Sequence, residues 1–222
     1  KDSKWVFNKG EKERINDIAN QLTNIQWFPA SSTADESAVP GAVTTAFIKG
    51  SAFQKIKNTY VEDYSKLLYN ELSEDYKYSD VFLTNCMSSF FSLLQPSDLE
   101  DLLCMYLYKD KHYITIPSTN KISTPLYECV LIDPENKDGN NTNIYIQVKK
   151  GKVDLDFNDY KGLNGKVYLL TTEGTYKNEF ESNQIIGIKP YEIYSFANDK
   201  TNRSCIPAII RRWLNILAKN DS

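Results

Sequence analysis

Three residues in the second half of the chain have the types and spacing for phosphodiester chemistry: Glu128, Gln147 and Lys149. Gln147 and Lys149 lie at the end of the apolar run "IYIQVKKG", and alternation along a strand puts both on one face. The turn-rich "PENKDGNNTN" comes just before, and its Asp138-Gly139 pair is a strong two-residue hairpin signal. A hairpin centred on that pair predicts Glu128 opposite Lys149 and Cys129 opposite Val148, with facing side chains roughly 5 Å apart. Asp133 then pairs near Ile144, too far away to join them. A slip of one residue would turn the set to the wrong face. A carboxylate and an amide oxygen suit a hard divalent cation, Mg²⁺ or Mn²⁺. The cation would polarise a phosphate, and the lysine would position water or offset charge on phosphorus.

The elements that must hold these residues are legible around them. "PSDLEDLLCMYLY" reads as a short, largely buried helix with Ser97 or Asp98 as N-cap and Glu100 and Asp101 in its first turn. "HYITIPS" and "PLYECVLID" read as strands, "DFNDYKGL" as a helical turn and "KVYLLTT" as another strand. "QIIGIKPYEIYSFA" reads as strand then helix, and "IPAIIRRWLNILAK" as a closing amphipathic helix. The expected class is mixed α/β around one sheet. Residues 1–95 are expected to form a mostly helical region, and residues 96–222 the domain with the sheet. In the first region "EKERINDIANQLTNIQWF", "AFQKIKNTYVEDYSKLLYNEL" and "SDVFLTNCMSSFFSLLQ" are predicted helices, the last capped by Ser79 or Asp80. "PASSTADESAVPGAVTT" is a predicted loop.

Composition narrows the function classes. The net charge of −3 over 222 residues excludes a strongly basic binding protein. The halves differ: residues 1–110 carry 11 Lys and Arg against 16 Asp and Glu, residues 111–222 carry 15 against 13. Lys149, Lys150, Lys152, Lys161 and Lys166 cluster in the second half, and the last four are expected phosphate contacts. The four cysteines are widely spaced in apolar segments with no CxxC pair, which predicts reduced thiols in an intracellular protein. No apolar run has the length of a membrane span, and the charged first residues do not fit a signal peptide. The chain starts at Lys1, as a trimmed piece of a longer protein would.

The order of helix with acid, strand, strand with acid, hairpin, "YIQVKKG", short helix and "KVYLLTT" resembles the PD-(D/E)XK nuclease superfamily. Within it the chain looks like the restriction-endonuclease-like, Mrr-type branch, in which a QxK motif replaces the acid of the third motif. The similarity covers about residues 96–175, and residues 176–222 would complete a core of central mixed sheet flanked by helices. It implies that Glu128, Gln147 and the Val148 carbonyl hold the metal, that Lys149 is the catalytic lysine, and that Glu100 joins them from the first core helix. Departures are Glu at 128, where Asp after Pro is usual, and Gln147, which removes one negative charge. The resemblance further implies DNA as partner, RNA being left open, in a cytoplasmic bacterial setting of restriction or anti-phage defence, with a homodimer or larger defence complex as assembly.

Blander readings stand beside these. Glu128 and Lys149 make an ordinary cross-strand ion pair by the same geometry. Glu100 sits where the helix dipole favours any acid, with Asp101 equally available. His112 has no evident partner, no GxSxG supports a serine nucleophile, and "GLNGK" lacks the pattern of a phosphate loop. The alternative function is a catalytically inactive nuclease-fold module that binds nucleic acid or serves as a scaffold.

Overall fold

The computed structural model describes residues 4–8, 30–35, 39, 59–73, 77–81, 84, 86–119, 126–136 and 143–220. The chain divides into two compact units, Lys1–Asn85 with Asn215–Ser222, and Cys86–Leu214.

In the first unit, β1 (Lys4–Asn8) pairs antiparallel with β2 (Ala30–Asp35), with an irregularity between Phe7 and Asn8. The segment expected as a loop on its Ser, Ala and Pro content therefore contains a strand. Its partner is supplied from far upstream, a cue that local composition does not carry. Helix α1 (Thr59–Leu72) buries Val61, Tyr64, Leu67 and Leu68 at the three- and four-residue spacing of one helical stripe. Lys66 on its side bridges Glu62 at 3.3 Å and Asp80 at 2.9 Å, so Asp80 is an ion-pair partner rather than a helix cap. The helix expected around residues 11–28 and the first turn expected at 52–58 lie outside the described residues.

In the second unit, α2 (Met87–Leu93) starts with Cys86 in the N-cap position. Helix α3 (Pro96–Lys111) follows, and its N-cap is Gln95, not Ser97 or Asp98. Proline takes the first helical position, where no N–H is needed, and this shifts Asp98 to the third. There Asp98 accepts the Gln95 amide at 2.7 Å as the return bond of a capping box. Leu99, Leu102, Leu103 and Leu107 are fully buried, while Glu100, Asp101 and Cys104 flank that stripe. The helix stops at His112, in the left-handed region at φ 58°, whose amide bonds the Tyr108 carbonyl.

The main sheet has five strands in the order β3 (Ile114–Thr115), β4 (Cys129–Ile132), β5 (Asn143–Lys149), β7 (Gly165–Thr171) and β9 (Ile185–Ile188). The first two pairings are antiparallel and the last two parallel, which makes a mixed sheet in a mixed α/β fold. β5 is central and buried from Ile144 to Val148, the continuous apolar pattern of a strand covered on both faces. One face carries Val130, Tyr145, Val167, Leu169 and Ile185, packed with Phe157 and Tyr160 of a 3-10 turn (Phe157–Tyr160). Helix α3 packs on β5 and against α4 (Pro190–Asn198). Short strands β6 (Leu155–Asp156) and β8 (Tyr176–Lys177) pair in parallel beside the main sheet. A last helix, α5 (Ala208–Asn220), passes from the second unit into the first. Among the described residues no helix is long and apolar enough to cross a membrane.

Candidate active site

The β4–β5 ladder pairs Cys129 with Ile146, Val130 with Tyr145 and Leu131 with Ile144. Each β4 residue thus sits two positions away from the register expected for a turn centred on Asp138-Gly139, and Cys129 does not face Val148. The turn residues themselves lie outside the described residues. Glu128 lies one residue beyond the last pair, where a regular continuation would set it across from Gln147 with Lys149 on the diagonal. A shift of two leaves every side chain on its expected face, because strand side chains alternate with period two. At the end of β4 the pairing steps aside: the Glu128 amide donates to the Ile146 carbonyl at 2.8 Å, the same residue that faces Cys129. Two residues opposite one is the pattern of a bulge, a device that re-aims a side chain at a strand end.

The carboxylate of Glu128 receives two donors on a single oxygen. Gln147 Nε2 and Lys149 Nζ each lie 3.0 Å from Glu128 Oε1. Glu128 keeps 18% of its side-chain surface and Lys149 36%, so the pair is accessible from solvent. Gln147 is fully buried, and among the described residues its Oε1 finds no hydrogen-bond partner. An unpaired oxygen of this kind costs about 1–3 kcal/mol unless a ligand or ion meets it. Alternation along β5 points the Val148 carbonyl, like that of Ile146, toward the β4 side.

Glu100 approaches from α3. Burial lifts its carboxyl above the ordinary glutamate range, and the negative charges of Glu128 and Asp101 raise it further, while Lys149 opposes them. Asp101 is also raised, by burial. Next to these acids Cys104 of α3 meets Cys129 of β4, with 3.7 Å between sulfurs. The hydrogen bond between them lowers the Cys104 thiol and raises that of Cys129. Cysteine spacing gives no sign of this contact, because the topology alone brings residues 25 apart together.

The loop after Lys149 is clasped to the end of β7, which lies beside it because Lys149 faces Thr171 in the parallel ladder. The Thr172 amide donates to the Lys149 carbonyl at 3.1 Å, and the Gly151 amide donates to Thr172 Oγ1 at 2.7 Å. Thr171 Oγ1 donates to the Val153 carbonyl at 2.6 Å. Gly151 has φ 83°, a left-handed conformation that glycine adopts without strain. Gly174 passes so close to the chain that a Cβ there would lie 1.9 Å from the Val153 carbonyl oxygen.

No family model, curated protein or solved structure matches the chain. Among the described residues no group of three or more His, Cys, Asp and Glu side chains is placed to hold a metal. A cation at this sheet end would draw on the two acids Glu128 and Glu100 together with the neutral oxygens of Gln147 and the strand backbone. That donor set is all hard oxygen, and the orphaned Gln147 Oε1 within it fits Mg²⁺ or Mn²⁺.

The four expected phosphate lysines separate. Lys150 Nζ donates to the carbonyls of Ser92 and Leu94 at 2.9 and 2.5 Å, closing the C-terminal end of α2, and burial lowers its pKa. Lys166 lies at the far end of β7, where it donates to Tyr113 Oη at 3.3 Å. Lys161 lies 4.8 Å from the Phe180 ring centroid. Lys152 is exposed beside Gly151, with no partner among the described residues, and is the lysine nearest in sequence to the site that is free to meet a phosphate.

Proposed function

We propose that this chain is a metal-dependent endonuclease that hydrolyses phosphodiester bonds of DNA, of the PD-(D/E)XK kind, in a setting of bacterial restriction or anti-phage defence. The observation that carries the reading is Glu128 Oε1 at 3.0 Å from both Gln147 Nε2 and Lys149 Nζ, at the end of a buried strand. A bound Mg²⁺ or Mn²⁺ would polarise the scissile phosphate and lower the pKa of water. Glu128 and Glu100 would supply negative charge for it, and Gln147 Oε1 and the Val148 carbonyl neutral oxygen. Lys149 would orient the attacking water or offset charge developing on phosphorus. The clasp by Thr171 and Thr172 fixes the backbone from which Lys149 projects, so that its freedom is confined to the side chain.

A second reading, an inactive nuclease-fold module that binds nucleic acid or scaffolds an assembly, is favoured by one feature: Lys149 already neutralises Glu128 within the protein. Cleavage of plasmid DNA in Mg²⁺ and Mn²⁺ separates the two. Wild type cuts and Lys149→Ala does not, while both bind DNA to a similar degree. Cleavage that persists in Lys149→Ala overturns the site assignment, and a wild type that binds but never cuts in any divalent metal favours the module.

A further inference from the structure

We propose that Cys104 and Cys129 are an oxidisable pair that forms a reversible disulfide, tying α3 to β4 when the protein meets a hydroperoxide. The two sulfurs are 3.7 Å apart on different elements. Cys104 keeps part of its surface exposed, whereas Cys129 has 2% of its surface exposed, which makes Cys104 the thiol that meets a small oxidant first and Cys129 the one that reacts with a neighbour already in place. A disulfide has a sulfur separation of about 2.05 Å, so closure draws the two side chains, and the segments of α3 and β4 that carry them, together without unfolding. The other cysteines lie in different company. Cys86 Sγ contacts the hydroxyls of Ser88 and Ser89 at 3.1 and 3.2 Å, and Cys205 Sγ lies 4.0 Å from Ser204 Oγ.

The chemistry balances with one hydroperoxide. The Cys104 sulfur attacks the peroxide and becomes a sulfenic acid, releasing one water from hydrogen peroxide. The Cys129 thiol then displaces the sulfenic hydroxyl as a second water, forming the S–S bond. Two thiols lose two electrons and two protons, and the peroxide takes up both.

The position of the link gives it a consequence. Cys104 stands one helical turn after Glu100, on the same face of α3, and Cys129 directly follows Glu128. Tying these sulfurs together resets the spacing between the two acids. On the proposed nuclease reading, on which this step rests, oxidation slows cutting by about a hundredfold, the effect of moving a catalytic group by ~1 Å.

The test treats the reduced full chain with hydrogen peroxide, blocks remaining thiols with N-ethylmaleimide in guanidinium, and maps the peptides by mass spectrometry. The expected result is a cross-linked Cys104–Cys129 peptide lighter by two hydrogens, with Cys86 and Cys205 alkylated, reversed by dithiothreitol and absent from Cys104→Ser and Cys129→Ala. Alkylation of all four cysteines, or oxidation of Cys104 to a sulfinic acid with Cys129 still alkylated, overturns the proposal. Plasmid cleavage is followed in parallel. A disulfide that forms without slowing an active enzyme overturns its control of the site. A reduced protein that never cuts counts against the nuclease reading and leaves the mass result to decide the disulfide.

Discussion

Lys149 meets Glu128 beyond the end of the β4–β5 ladder: its Nζ lies 3.0 Å from Glu128 Oε1, while the Glu128 amide bonds the carbonyl of Ile146, the residue that already faces Cys129. Three polar groups therefore share one strand end without a regular facing pair. The ion pair is part exposed and contributes within about 1 kcal/mol to stability. Lys149→Ala is expected to leave thermal unfolding almost unchanged while lowering metal-dependent cleavage by at least about a hundredfold. Calorimetry and a plasmid nicking assay on the same preparation check both halves.

Gln147 offers a test that separates stability from function. Replacing it with Met removes a buried amide whose oxygen is unpaired, so the variant should unfold within about 1 kcal/mol of wild type or above it. Its cleavage should fall with that of Lys149→Ala. Gln147→Glu adds a charge beside Glu128, and should unfold at a higher temperature in millimolar Mn²⁺ than in chelator by a larger margin than wild type. Loss of stability in Gln147→Met together with full cleavage would remove Gln147 from the site.

Glu100 carries a pH signature. Its carboxyl is raised in the folded protein, first by burial and then by Glu128, so the folded state holds this proton more tightly than the unfolded chain. Stability associated with this group is therefore present below the ordinary glutamate value and declines as pH rises through the raised folded value. Glu100→Gln removes that decline. It should raise the melting temperature relative to wild type at pH 7 and make little difference at pH 4, a comparison that thermal melts across the range resolve.

Lys150 and Lys152 should behave as opposites although they are neighbours on one loop. Lys150 bonds two carbonyls at the end of α2, and Lys150→Ala should cost about 1–3 kcal/mol of stability. Lys152→Ala should leave stability unchanged and reduce the slope of log affinity against log salt for DNA by about one. Denaturant titrations and salt-dependent binding isotherms measure the two effects.

How much of this was legible in the chain follows from which interactions are local. The apolar run before Gln147, the breaks at glycine and the alternation of Gln147 with Lys149 are all written within a few residues, and β5 and its faces follow from them. The register was not, because it was placed from an assumed two-residue turn while the ladder runs two residues away from it. The role of Lys150 was hidden because its acceptors, Ser92 and Leu94, are 58 and 56 positions away. The contact between Cys104 and Cys129, and strand β2, share that cause: their partners are chosen by topology, and composition near each residue points elsewhere.

The hairpin register also sorts the changes this protein can tolerate. Displacements of the β4–β5 pairing by an even number of residues return Glu128 to the face of Gln147 and Lys149, and odd displacements carry it to the opposite face. Parity thus acts as a filter on length variation in the 133–142 connection. Insertions that move the pairing by two can drift without erasing the cluster, whereas single-residue slips abolish it at once.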